Sequence, residues 1–219
     1  MALEWNMKKK PSVLAIVGSY RKGGTIDTAV DEMIYAARRA GAETEKRYLI
    51  DKHIGFCTNC RDCTQLRGPQ PGICATEDDM CEILEAIDSA DALIIGSPVN
   101  FSTVTAVTKR FIERLICFAY WPWGRKGPEP RKKEKLKPAV VVGSSAAPAL
   151  ITRLFTNNVK LLKKAADLMG FRTVGVLFIG GAAQKKHPNI DAATRQKARV
   201  LGEKLVRPPH YGVIESDAP

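Results

Sequence analysis

The sequence predicts an α/β protein in which one parallel sheet is covered on both faces by helices. Apolar runs of strand length alternate with segments of helical period, the mark of a βαβ series. Three of the runs are nearly continuous Val, Ile and Leu, as strands buried on both faces require.

In chain order, strands are expected at Ser12 to Gly18, Glu43 to Leu49, Asp91 to Gly96, Ala139 to Ser144 and Phe171 to Ile179. Between the first two, Ile26, Ala29, Val30, Met33, Ile34 and Ala37 recur at helical spacing, with Gly41 as a C-terminal stop. Met80, Ile83, Leu84 and Ile87 form a second apolar stripe. Further helices fit Val104 to Phe118, Thr152 to Met169 with Gly170 ending it, and Asp191 to Leu205. Two long irregular stretches interrupt the order, the Cys/Gly/Pro segment 51–76 and the basic segment 121–137; loops of such length tend to be functional or mobile. No internal repeat is visible, so residues 1–219 read as a single domain.

A chain of 219 residues, 45% hydrophobic and 26% charged, can close a sizeable core, which excludes a disordered polymer. The basic start and Val13 to Val17 imitate a signal peptide, but the apolar run is short and ends at Gly18-Ser-Tyr-Arg-Lys, as a strand entering a loop does. No later segment approaches the roughly 18 apolar residues of a membrane span, so a soluble, cytoplasmic protein is expected. The net charge of +11, from 34 Lys and Arg against 23 Asp and Glu, suits nucleic acid, an acidic redox partner or a phosphorylated cofactor, and does not choose among them.

The first strand runs through Gly18-Ser-Tyr-Arg-Lys-Gly-Gly-Thr25 straight into the helix that opens at Thr25 and Ile26, which offers backbone N–H groups and a helix N-terminus to an anion. The pattern G-x-x-x-x-G-K-[ST] fails because Gly24 stands where its lysine belongs, and G-x-G-x-x-G fails because Tyr20 follows Gly18 by two. What remains suits a single terminal phosphate: hydroxyls from Ser19 and Thr25, a charge-assisted bond from Arg21, and backbone closure at Gly23 and Gly24. The third strand ends in Gly96-Ser-Pro-Val-Asn-Phe101, which would lie beside that loop at the carboxyl edge of the sheet.

With these two loops, Asp78-Asp-Met80 and the helix residues Lys109, Glu113 and Arg114, the sequence resembles the NADPH-dependent FMN reductase and iron-sulfur flavoprotein family over roughly Ser12 to Ile179. The resemblance implies a flavodoxin-like three-layer sandwich with a five-stranded parallel sheet of order 2-1-3-4-5 and FMN at its carboxyl edge. It implies a phosphate held by Ser19, Arg21, Gly24 and Thr25, and Ser97, Pro98, Val99, Asn100 and Phe101 along the flavin ring. Backbone amides near Val99 and Asn100 would bond the ring, and Gly143-Ser144-Ser145-Ala146 after the fourth strand would complete the pocket. The chain departs from the pattern at Asn100, where relatives commonly carry Tyr, and at Glu113, where Asp is commoner; Phe101 is the aromatic left to stack on a substrate. Also implied are NADPH or NADH as reductant, a small-molecule acceptor or redox partner protein, and a homodimer or homotetramer. A non-enzymatic iron-sulfur and FMN carrier serving a ferredoxin-like partner is the alternative.

Four of the six cysteines crowd into Cys57-Thr-Asn-Cys60-Arg-Asp-Cys63 and Cys74, where thiolate chemistry explains them better than structural bridges. The C-x2-C-x2-C run matches the compact half of ferredoxin-type ligation, so a [4Fe–4S] cluster, zinc, or no metal are the three readings of Cys57, Cys60, Cys63 and Cys74. Relatives in the iron-sulfur branch carry a closer fourth cysteine. Cys81 and Cys117 lie on apolar helix patterns and are expected to be packed thiols. Segment 121–137 carries seven basic residues from Arg125 to Lys137 next to Trp121 and Trp123, readable as solvated surface or as a clamp for a 2′-phosphate folded over the site; nucleic acid is the least favoured partner. His53, His187 and His210 share no metal spacing.

Overall fold

A computed structural model of the chain describes residues 10–183 and 190–206. His187, His210 and all but the last residue of the basic start lie outside them.

The sheet is built from β1 (Ser12–Val17), β2 (Glu43–Tyr48), β3 (Ala92–Pro98), β6 (Lys137–Ser144) and β7 (Phe171–Ile179), all parallel, in the order β2-β1-β3-β6-β7. The two-residue strands β4 (Ala119–Tyr120) and β5 (Glu129–Pro130) pair only with each other, so the main sheet has the expected order 2-1-3-4-5. Alternation along each central strand divides the core between two faces. Val13, Ala15, Val17, Ile94, Val140 and Val142 pack under α1 (Thr25–Arg39) and α6 (Ala192–Val206). Leu14, Ile16, Leu93, Ile95 and Val141 face α2 (Met80–Ser89), α3 (Ala106–Arg114) and α5 (Asn158–Leu168) with Phe111, Phe118 and Phe171. Each such side chain contributes roughly 1.5–3 kcal/mol on burial, which is why the strands read as continuous apolar runs. Among the described residues no helix is long and apolar enough to cross a membrane.

The elements depart from expectation where side chains compete with the ladder. Asp91 does not enter β3; its carboxylate accepts from the N–H and Oγ of Ser12, at 2.9 Å each, and ties the two strand starts together. At its other end β3 runs two residues further, with Ser97 opposite Gly143 and Pro98 opposite Ser144. The helix expected over Val104 to Phe118 starts at Ala106 under a Thr105 cap, whose Oγ1 accepts from Thr108 N–H at 3.3 Å, and tightens into a 3-10 turn at Leu115–Phe118 that buries Cys117 and Phe118. The helix expected over Thr152 to Met169 is two helices, α4 (Ala149–Phe155) and α5, parted at Thr156 and Asn157.

Cys117 is buried as expected, but Cys81 is exposed. Met80, Ile83, Leu84 and Ile87 form the buried stripe of α2, and the residue after Met80 falls off that face.

Candidate functional site

A cleft of about 340 Å³ opens beyond the carboxyl ends of β1, β3 and β6, beside the point where the strand order reverses between β1 and β3. Ser19, Arg21, Gly24, Thr25 and Ile26 line one end; Pro98, Val99, Asn100 and Ser144 line the other. Ser145 and Ala146, in the segment after β6 expected to complete the pocket, also line it; Tyr20, Ala182 and Ala183 line it too and escaped the sequence reading, since nothing in their spacing marks them.

At the first end, α1 begins at Gly24 with no side chain capping it, so the amides of its first turn stay open to the cleft. The loop is pre-set. Arg21 N–H donates to Ser19 Oγ at 3.1 Å, and Gly24 N–H donates to the Arg21 carbonyl at 3.2 Å. Gly23, which has φ +70°, does not line the cleft; its N–H donates to the buried carboxylate of Asp27 at 2.6 Å. Asp27 would oppose an anion, but Lys46 Nζ and the Tyr48 hydroxyl, each 3.0 Å from its Oδ1, offset the charge. Burial opposes the charged form of Lys46, and its bonds to Asp31, Tyr48 and Asp27 outweigh that and raise its pKa.

Gly18 has a packing reason. A Cβ there would lie 1.8 Å from Thr108 Oγ1, and its carbonyl accepts from the hydroxyls of Thr105 at 2.6 Å and Thr108 at 3.2 Å. Ser97 belongs to the same buried hydroxyl cluster: its Oγ accepts from Thr105 N–H at 3.1 Å and from Thr108 Oγ1 at 3.2 Å. Ser97 therefore joins the two loops beneath the cleft and does not line it.

At the other end, the expected ring-facing amides are engaged. Val99 N–H donates to Ser144 O at 2.7 Å, and Asn100 and Thr103 exchange backbone bonds at 2.9 and 3.1 Å around Phe101 and Ser102, which have φ +48° and +64°. Two successive left-handed residues close a tight hairpin turn and consume the amides of its flanks. The donor that Asn100 can still offer the cleft is its side-chain amide. Phe101 is fully exposed and lines no part of the cleft, so its stacking role has no support from its position. Gly143 lies behind the cleft, where a Cβ would meet Phe178 at 2.6 Å and Asn158 Oδ1 at 2.8 Å.

Cys57, Cys60, Cys63 and Cys74, separated by up to 17 positions, line one cavity of about 260 Å³ together with Arg61, Arg114, Ile116 and Trp121. Burial, and then the charges of Cys74, Cys57 and Cys60, push the Cys63 thiol up to about 11. Among the described residues no group of three or more His, Cys, Asp and Glu side chains is gathered as it would be around a single metal ion. The walls are held by two arginines. Arg114 forms a buried ion pair with Asp78 and donates to the carbonyls of Gly55 at 3.0 Å and Thr76 at 3.4 Å. Arg61 is stacked between Trp121 and Trp123, 3.8 and 4.3 Å from the ring centres. The basic segment thus docks on the cysteine loop, Arg131 donating to the carbonyls of Cys63, Leu66 and Gly68, and none of its residues reaches the 340 Å³ cleft.

The family model described as NADPH-dependent FMN reductase matches residues 11–154. An "Iron-sulfur flavoprotein" from Archaeoglobus fulgidus is 34% identical over 109 residues, 50% of this chain and 47% of that protein. The chain thus spans about half the length of the curated relatives it matches. At the level of fold, it superposes on an FMN-dependent NADH-azoreductase from Bacillus anthracis in complex with FMN, with a TM-score of 0.67 and 11% identity over 90% of this chain and 100% of the other. A flavodoxin from the domain Archaea gives a TM-score of 0.52 at 10% identity over 89% and 96% of the two chains.

Proposed function

We propose that this chain, which belongs to the NADPH-dependent FMN reductase family, binds FMN in the cleft beyond β1, β3 and β6 and passes electrons from NADPH or NADH to a small-molecule or protein acceptor. The observation that carries this reading is the convergence of an uncapped helix N-terminus, two hydroxyls and one guanidinium on one end of a single cleft at the reversal of strand order.

The residues present suit the group. Ser19, Thr25 and the first-turn amides of α1 would hold its phosphate, with Arg21 adding a charge-assisted bond. The Lys46 and Tyr48 contacts keep the Asp27 charge from repelling it. Pro98, Val99 and Asn100 on one side and Ser145 and Ala146 on the other would bound the ring, with the small side chains of Ala182 and Ala183 leaving room. FMN held there would supply hydride and electron-transfer chemistry, for which no side chain need act as acid or base. The protein's part is to bind, orient and exclude water.

A second reading concerns the cysteine cavity. Four thiols on one cavity, in a relative of a protein named an iron-sulfur flavoprotein, favour a [4Fe–4S] cluster held by Cys57, Cys60, Cys63 and Cys74. With a cluster the chain would be an electron carrier between FMN and a ferredoxin-like partner. Phe101 and Phe155, both exposed and each within two residues of a partner in the bond from Asn157 N–H to Ser102 O, support a homodimer or homotetramer that covers them.

One experiment tests both readings: the absorption spectrum, flavin content and iron content of protein purified without oxygen, followed by NADPH and NADH oxidation with added acceptors. Protein that takes up no FMN overturns the first reading. Flavin-loaded protein free of iron, with full reductase turnover, overturns the second.

A further inference from the structure

We infer that the junction between α4 and α5 is a clamp for the turn after β3, with Asn158 as a positioning residue that sets how that turn meets a bound ring. The inference rests on the FMN reading above and deepens it.

The junction touches the turn at both ends. Asn158 Nδ2 donates to the carbonyls of Ser97 at 3.1 Å and Pro98 at 3.3 Å, where the turn leaves β3. Asn157 N–H donates to the Ser102 carbonyl at 3.0 Å, where the turn comes back. Between these points lie the cleft residues Pro98, Val99 and Asn100 and the two left-handed residues Phe101 and Ser102. Among the described residues the turn's other backbone bonds run to Ser144, to the Ser97 hydroxyl and across itself, so the clamp is its tie to this helical layer.

The local sequence is arranged for the clamp at the expense of the helix. Thr156 is extended (φ −125°, ψ 154°), which breaks a run of helical period, and Asn157 at the N-cap of α5 makes no side-chain cap bond. Asn158, fully buried in the first turn of α5, directs its amide at the sheet instead of at solvent. Its Oδ1 has no hydrogen-bond partner, an arrangement that native cores avoid unless something else requires the side chain. A Cβ at position 143 would come within 2.8 Å of that oxygen, so Gly143 is what leaves room for the carboxamide. A helix–sheet contact with no role at the site would be served better by an apolar side chain.

The test uses the full chain and two variants. Asn158→Leu keeps bulk and removes both bonds. Asn157→Pro removes the single N–H; the extended Thr156 is the conformation that precedes proline, and φ −93° at Asn157 requires a shift of about 30° to reach proline's own. Affinities for FMN and for riboflavin, which lacks the phosphate, are measured with the flavin midpoint potential. Both variants should lose affinity for FMN and riboflavin by the same factor, roughly tenfold for Asn158→Leu and less for Asn157→Pro, and shift the potential in the same direction. Wild-type potential and affinity in folded Asn158→Leu, or in Asn157→Pro should the first not fold, overturn the inference. A wild-type chain that binds neither flavin overturns the reading beneath it instead.

Discussion

Arg114 reaches Cys74: its Nη2 lies 3.4 Å from the Cys74 Sγ, while its two Nη atoms hold both carboxylate oxygens of Asp78 at 2.6 and 3.2 Å. The same carboxylate accepts from Gly55 N–H at 2.7 Å and Met80 N–H at 3.0 Å. One buried ion pair therefore ties the far cysteine to α3, to the start of α2 and to the segment that carries the other three.

Breaking that pair should be severe. Arg114→Met leaves a buried carboxylate without its counter-charge, at a cost of about 3–5 kcal/mol in urea unfolding at neutral pH. Burial pushes the Asp78 carboxyl up, but Arg114 and the two amides outweigh it and hold it below its usual range. The stabilisation is thus present above the ordinary carboxylate value and fades as pH falls through the lower folded value. Unfolding free energy followed from pH 7 to pH 2 should drop below about pH 4, and Asp78→Asn should flatten that drop.

Gly18→Ala should destabilise the chain by about 1–3 kcal/mol, because the new methyl meets the Thr108 hydroxyl in a packed site. Removing that hydroxyl in Gly18→Ala/Thr108→Ala should restore part of the loss, so the two changes couple by more than about 0.5 kcal/mol. Strict additivity in a denaturation cycle would mean that the backbone shifts to absorb the methyl.

On the FMN reading, Arg21→Ala should weaken FMN binding by about 1.5–3 kcal/mol, the range for a hydrogen bond to a charged group. Riboflavin affinity should not change. Equal losses for both ligands in a fluorescence titration would move the phosphate away from Arg21.

Burial, and then the charges of Cys63 and Cys74, push the Cys117 thiol up to about 12, and the thiolate is the reactive form. In iron-free native protein at pH 8, Cys60 and Cys81, both exposed, should be alkylated first and Cys117 last. Mass spectrometry of a time course checks the order; early modification of Cys117 would mean that the 3-10 turn at Leu115–Phe118 opens.

If the cluster reading holds, Cys60→Ser should lose the broad absorption of iron–sulfur charge transfer and most of the iron while FMN stays bound, since the cavity and the cleft share no lining residue. Joint loss of iron and flavin would show that the two sites depend on each other.

The sequence by itself determined the sheet, its order through the family resemblance, and the loop from Gly18 to Thr25, because each rests on short-range pattern: continuous apolar runs, a 3.6-residue period, and hydroxyl, basic and glycine residues between a strand and a helix. It also gathered the four cysteines, since three stand within seven residues. Tertiary structure decided the rest. Whether Val99 and Asn100 keep free amides depended on how the turn at Phe101 and Ser102 closes. That Ser97 is a hidden link and Ala182 a wall, that the basic segment lies on the cysteine loop and away from the cleft, and that Asn158 reaches back 61 positions to Ser97 all follow from long-range placement. Such contacts leave no periodicity in the chain, because the energy of a buried hydrogen bond or ion pair depends on which groups the fold brings to the same place.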